Sequence, residues 1–429
     1  MTALDEMVWA LLQDAAQVYG SERIQPMLGR LDEPLRIGVA GGPKAGKSTL
    51  INTFLGDRVA PVDIGQTFTW YQDGPAVGMT AYCDDGTAHP LSLSRGSDGT
   101  WAHPGGQRPD GIEDLVVSWP SRVLRHVSLV DSRPDCFPSN VDALLYLDAS
   151  DFHPLEAATA VSTVTRAAPV DVIAVLSRAD EIGGGRVDAL LSARQLARSL
   201  SREPGVNAAS ITVVAVSGLL AQAGLALSEM DFEVLAEMAG LPREELDAAL
   251  LSADRFVGLP GRYGQRRDLL NRLGIHGIRL ATTLIRTGTA TRNALAAELV
   301  RRSGLPELQD VLNYHVIERR DILKSRSALV ALESLFTENP RGDLMAKLER
   351  VLASAHEFRE LRLLAALRNS IVAFASGLDD EARRLAGGDG SSPEARLGIE
   401  HEAAPDEIWE LTVAALRRWQ DQADDPRLT

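Results

Sequence analysis

Long hydrophobic runs are missing from this 429-residue chain. No apolar stretch approaches the ~18 residues of a membrane span, and the best candidate, 363–376, is broken by Arg368 and Asn369. The N-terminus carries Asp5 and Glu6 where a secretory signal would place lysines. Cysteine is scarce as well. Cys83 and Cys136 cannot make a disulfide framework, which points to a reducing, cytoplasmic compartment. The eight histidines show no H-x-x-x-H or H-E-x-x-H spacing, so a zinc site is not expected, and neither a G-x-S-x-G elbow nor a C-x-x-C pair occurs. Excess positive charge is lacking too: a net charge of −15 argues against general nucleic-acid binding. What remains, 45% hydrophobic and 24% charged residues, is the balance of a soluble globular protein. Its length suggests two or three domains of roughly 150 residues.

Charge is unevenly placed. From Arg255 to Arg302 ten arginines face two acids, whereas from Asp379 onward thirteen carboxylates face six arginines. The basic segment could meet an anionic membrane surface or the acidic tail; the plainer alternative is a pair of solvated helix faces.

Residues 4–18 place Leu4, Met7, Val8, Leu11, Leu12 and Ala15 on one side of an amphipathic helix. The run 35–40 (LRIGVA) reads as a strand buried on both faces. Further strands are expected at 78–83, 89–93, 114–119, 126–130, 143–147, 171–176 and 211–216, with helices at 155–167 and 187–202. That alternation predicts an α/β domain with a mostly parallel sheet. Beyond Gly218 the pattern is helical throughout, apart from a flexible break at 387–393.

Directly after the first strand comes Gly41-Gly42-Pro43-Lys44-Ala45-Gly46-Lys47-Ser48-Thr49. This is the P-loop pattern G-x-x-x-x-G-K-[ST] in its required strand-to-helix context. Gly41 and Gly46 let backbone N–H groups curl around phosphate oxygens. The following helix adds its positive N-terminal end. Lys47 supplies a mobile charge between the β- and γ-phosphates, and the Ser48 hydroxyl is suited to ligate Mg²⁺.

The strand 171–176 leads into Ser177-Arg178-Ala179-Asp180. A carboxylate at Asp180 can accept two hydrogen bonds from guanine N1 and N2, a pair adenine cannot offer. Arg178 can lay its aliphatic stem along the base. Ser217-Gly218, after the strand 211–216, falls where a GTPase presents a backbone N–H to the guanine oxygen. For the switch regions the chain offers Thr67 or Thr69, to close over magnesium, and Asp131-Ser132-Arg133-Pro134 in place of D-x-x-G. Asp131 can still hold a magnesium-bound water. Pro134 has no N–H to give the γ-phosphate. Trp70-Tyr71 suits base stacking, although a half-buried strand aromatic is the plainer account. Asp180-Glu181 with Gly183-Gly184-Gly185 reads as a mobile loop beside the guanine site.

Taken in order, GPKAGKSTL, VAPVD ending in TWY, SRADEIGGGRVDAL, VSGLLA, LLSADRFV, LAAELVRRSGL and ARLGI resemble the bacterial dynamin-like GTPase family over most of the chain. The resemblance implies a P-loop GTPase domain (31–318) joined to an all-α helical neck or stalk. The neck would combine an N-terminal helix (1–30) with residues 319–429. It also implies GTP or GDP with Mg²⁺, a second dynamin-like protein as homo- or hetero-oligomeric partner, and membrane remodelling or maintenance from the inner face of the plasma membrane. Family members carry D-T-P-G where this chain has Asp131 to Pro134, and the first switch is shorter here by about three residues. Two functional classes therefore stay open. One is a slow GTPase using Lys47, Ser48 and Thr67; the other is a degenerate GTPase serving as the structural partner of an active relative.

Overall fold

The computed structural model describes residues 3–60, 67–96, 99–103, 109–132, 140–148, 172–186, 188–368, 374 and 378–423. The expected helix 155–167, the loop 61–66, Arg133, Pro134 and Cys136 lie outside them.

Eleven strands form the β-structure: β1 (Leu35–Gly41), β2 (Phe68–Asp73), β3 (Gly78–Cys83), β4 (Ala88–Leu91), β5 (Ser94–Arg95), β6 (Trp101–Ala102), β7 (Ile112–Trp119), β8 (Val127–Asp131), β9 (Ala143–Asp148), β10 (Val172–Leu176) and β11 (Val213–Ala215). Nine of them make one sheet in the order β11-β10-β9-β1-β8-β2-β7-β3-β4, and β5 and β6 pair separately. From β11 to β8 every pairing is parallel. These strands are almost wholly apolar because helices cover both faces. The other end is largely antiparallel, and there the period-two pattern shows. Met79, Ala81 and Cys83 are buried in β3 while Tyr82 is exposed. Tyr71 is buried, and Trp70 lies half-buried with its indole N–H donating to Asp114 at 3.1 Å, so both belong to the sheet.

One face of the sheet joins Ile37, Val39, Leu145 and Val175 to Leu308, Leu312 and Val316. The other joins Ala174 and Leu176 to a helical layer that includes Phe256, Leu269 and Leu273. A third, separate core unites α1 (Ala3–Tyr19) and α2 (Ser21–Asp32) with Leu329, Leu332, Phe336 and Leu348. The predicted apolar face of α1 supplies Leu4, Val8, Leu11, Leu12 and Ala15 to it. Between the cores runs one nearly continuous helical stretch: Leu305–Leu312, a π-helical turn Asn313–Ile317, then Arg320–Glu338. Leu308 to Leu323 pack on the sheet and Ala328 to Phe336 on the helical bundle, so this run links the two.

Two loops depart from expectation. Gly183, Gly184 and Gly185 all take positive φ, but Gly185 is pinned, its carbonyl accepting from His276 Nδ1 at 3.0 Å and Arg279 at 2.9 Å. A Cβ on Gly185 would lie 1.8 Å from the His276 ring, so close packing holds a segment that composition alone suggested was mobile. Likewise the turn 387–393 is tied down, with Arg319 donating to Gly387 and Ser391 Oγ to Glu318 at 2.6 Å.

Candidate functional site

The parallel strands end along one edge of the sheet, and the crevice outside those carboxyl ends is where open α/β sheets take ligands. Here β1 delivers Gly41, whose φ is +143°. A Cβ there would sit 2.1 Å from the Leu147 carbonyl oxygen, so only glycine lets the loop leave β1 this close to β9. Gly46, at φ +89°, then turns the chain into α3 (Lys47–Leu55). Lys47 folds back over the loop, its ammonium donating to the carbonyls of Gly41 at 2.9 Å and Gly42 at 3.1 Å. The result is a nest with a positive helix end and a mobile cation, suited to a polyphosphate.

A cleft of about 270 Å³ runs from this nest to the ends of β10 and β11. It brings together Lys44, Gly46, Thr49, Arg178, Asp180 and Gly218. Ser177 ties β10 to β9 by donating its N–H and its hydroxyl to the Asp148 carbonyl at 2.7 and 2.8 Å. Arg178 occupies the left-handed region at φ +52° and ion-pairs with Glu181 at 2.7 Å. Asp180 has no hydrogen-bond or ion-pair partner among the described residues, so its carboxylate faces the cleft uncommitted. The two residues after β11 separate by role. Ser217 is fully buried, its N–H donates to Ser303 at 2.8 Å, and its hydroxyl caps the helix Gly218–Leu225. Gly218, the first residue of that helix, lines the cleft and leaves its backbone N–H free of intrahelical bonding.

At the phosphate end, Asp131 closes β8 in register with Val39 of β1 and Thr69 of β2. Asp131 Oδ1 and Thr67 Oγ1 are both enclosed without a hydrogen-bond partner among the described residues. Burial pushes the Asp131 carboxyl up to about 6, against the opposing pull of the Lys47 charge. Enclosed oxygens of this kind call for a missing partner such as an ion or water. A hard cation bound by one carboxylate, hydroxyls, water and substrate phosphates is the usual habit of Mg²⁺, and Ser48, Thr67 and Asp131 supply that donor set. Among the described residues no cluster of three or more His, Cys, Asp or Glu offers an all-protein metal cage.

No protein-family model matches the chain. The isoniazid-induced protein IniC of Mycobacterium tuberculosis, from strains CDC 1551/Oshkosh and ATCC 25618/H37Rv, is 35% identical over 428 residues, covering 92% of this chain and 86% of IniC. The chain belongs to the IniC family. Two solved chains of an oligomerised bacterial dynamin pair, described as providing a mechanism for long-range sensing and tethering of membranes, are 14% and 12% identical. Each aligns with a TM-score of 0.34, over 94% of this chain and 82% of the solved one.

Two residues of this IniC-family chain hold structural roles that no motif marks. Asn52, in α3, is buried and clamps the segment that leaves the helix: its amide donates to Ala60 O at 2.6 Å and accepts from Val59 and Ala60 N–H at 2.7 Å. Asp142, just before β9, accepts from Arg30 at 2.5 Å, the Arg36 N–H at 2.8 Å and Ser327 Oγ at 2.7 Å, so one enclosed carboxylate binds sheet, α2 and the helix Arg320–Glu338. A mid-helix Asn and a pre-strand Asp carry no sequence signature of such duties. The basic segment also finds its explanation. Eight of its ten arginines (262, 266, 272, 279, 286, 292, 301 and 302) bond to nearby carbonyls or acids such as Asp231 and Glu298, and none of these pairs reaches beyond residue 379.

Proposed function

We propose that the chain binds a guanine nucleotide with magnesium and hydrolyses GTP slowly, as a dynamin-like protein in membrane remodelling or maintenance. One observation carries this reading: a single cleft has the phosphate nest Gly41–Thr49 at one end and the uncommitted carboxylate of Asp180 at the other. In it, Gly46, Lys47, Ser48 and Thr49 receive the phosphates, Arg178 flanks the base, and Gly218 donates to the guanine oxygen. Ser217 positions Gly218. Bound magnesium would neutralise charge on the transferring phosphoryl group. Lys47 would exchange its carbonyl contacts for the β- and γ-phosphates, and Ser48, Thr67 and Asp131 are the residues that would hold the cation, the first two through their hydroxyls and the third through bound water. Division into 1–30 with 319–429 as neck and 31–318 as nucleotide domain is supported by the separate core that α1 and α2 share with Ala328 to Leu364, although Leu323 still packs on the sheet.

The second reading, a degenerate GTPase that pairs with an active dynamin-like relative, rests on Pro134, where the family carries glycine. Pairing in either case is with another dynamin-like chain, the same or different. A peripheral cytoplasmic contact with an anionic membrane would draw on few of the arginines of 255–302, most of which are already engaged. No described helix is long and apolar enough to cross a membrane. Single-turnover hydrolysis of GTP by the purified chain with magnesium separates the readings. Loss of one oxyanion donor costs roughly 10²–10³ in rate, so turnover should be slow, and Pro134→Gly should recover only part of it. Turnover that the wild type already completes rapidly would refute the damaged-sensor argument, and equal affinity for ATP and GTP would refute the base assignment.

A further inference from the structure

Beside the nucleotide cleft lies a second cavity of about 480 Å³, inside the ~300–1,000 Å³ range of small-molecule sites. Thr49 and Leu219 line both, so the two spaces meet there. The cavity then runs between α3, the segment Gly56–Ala60 and the helices Gly218–Leu225 and Tyr263–Arg286. The point of contact is chemically informative. With phosphates at Gly46 and Lys47 and the base at Asp180, the sugar must sit between them, over Thr49 and Leu219. On that placement, the second cavity would open from the ribose.

Its charge is set by what is left over. Arg58, Arg95 and Arg272 line it, with Asp57 and Asp231. Both acids are already committed. Asp231 takes a two-pronged contact from Arg272 together with the Ser228 hydroxyl, and Asp57 accepts from the Arg58 N–H at 2.7 Å and the Trp101 indole at 3.3 Å. Arg95 touches Asp57 only loosely, at 3.4 Å. The half-buried Arg58 guanidinium has no ion pair or hydrogen bond among the described residues, and the Gln222 Nε2 is enclosed without a partner. A guanidinium and an amide donor lining this cavity suit an oxyanion.

We propose that this cavity receives a phosphate group carried on the ribose 3′ oxygen of a guanine nucleotide that is also phosphorylated at 5′. This rests on the guanine-nucleotide reading and adds a ligand class to it. Calorimetric titration of the full chain with magnesium tests it with three probes: GDP, guanosine 5′-diphosphate 3′-diphosphate, and guanosine 5′-tetraphosphate, which carries the same number of phosphates on one end. The 3′-substituted nucleotide should bind at least about tenfold more tightly than GDP, the scale of one charged hydrogen bond. Arg58→Ala should remove that gain while leaving GDP affinity within about twofold, and should not change the ratio for the 5′-tetraphosphate. If GDP binds and the 3′-substituted nucleotide binds no better, the inference is overturned. The same holds if Arg58→Ala weakens all three alike. Should none of the three bind, the guanine reading itself fails and the inference falls with it.

Discussion

Asp131→Asn should make the nucleotide-free protein more stable while destroying its response to magnesium and nucleotide. The Asp131 carboxyl, ordinarily titrating near 3.8, is pushed up to about 6 by burial. Its folded-state value lies above the unfolded one, so between those two pH values the folded protein holds a proton that the unfolded chain releases. Stability therefore falls as pH rises through that window, and the penalty is complete above it. A tenfold difference in proton affinity is worth about 1.4 kcal/mol, which puts the cost of the ionised carboxylate at about 3 kcal/mol near neutral pH. An amide carries no charge but leaves its own polar atoms enclosed, which takes back about 1 kcal/mol. Urea unfolding at pH 7.5 should then show the variant more stable by roughly 2 kcal/mol, with the gap closing toward pH 4. Adding GDP and magnesium should raise the wild-type midpoint and raise that of the variant much less, because the negative charge that would order the cation's water is gone. A variant less stable than the wild type at pH 7.5 would refute the reasoning, as would a stability difference that does not change with pH.

Lys47→Ala should cost at least tenfold to a hundredfold in nucleotide affinity, since charged hydrogen bonds contribute ~1.5–3 kcal/mol each. Its far-ultraviolet circular dichroism should be unchanged, because the ammonium donates to the loop carbonyls of Gly41 and Gly42 and Lys47 belongs to none of the hydrophobic cores. Asp180→Asn should reduce the preference for GTP over ATP by about tenfold or more in competition binding, as one guanine donor is left facing an amide donor; an unchanged ratio would place base selection elsewhere. Asp142→Ala strips the shared acceptor from Arg30, Ser327 and the Arg36 N–H. Breaking a buried ion pair costs ~3–5 kcal/mol, so its urea midpoint should fall sharply, and a near-neutral result would mean that sheet and helical bundle do not depend on this carboxylate.

Most of the sheet was legible because its information is local. The run 172–176 (VIAVL) is short, apolar and rich in β-branched residues, as an interior parallel strand is, and β10 occupies Val172–Leu176 with all five residues buried. The P-loop was legible for a related reason: Gly41 and Gly46 answer backbone demands that only glycine meets, and Leu147 pressing on Gly41 shows the demand is steric. Where sequence pattern misled, long-range contact had replaced local preference. The triple glycine 183–185 has every intrinsic reason to move, yet His276 and Arg279, some ninety positions away, fix its carbonyl. Ser217 falls at the expected position along the chain, but Ser303 takes its N–H and the helix takes its hydroxyl, so of the pair it is Gly218 that lines the cleft. The same argument covers what motifs never indicated. Asp142 gains its role from Ser327, and the cavity beside the P-loop cleft from Arg58 and Arg272, residues that only the folded chain brings together. Charge counts along the chain overstated the free basic surface for that reason, because each arginine that caps a carbonyl or meets an acid is spent inside the fold.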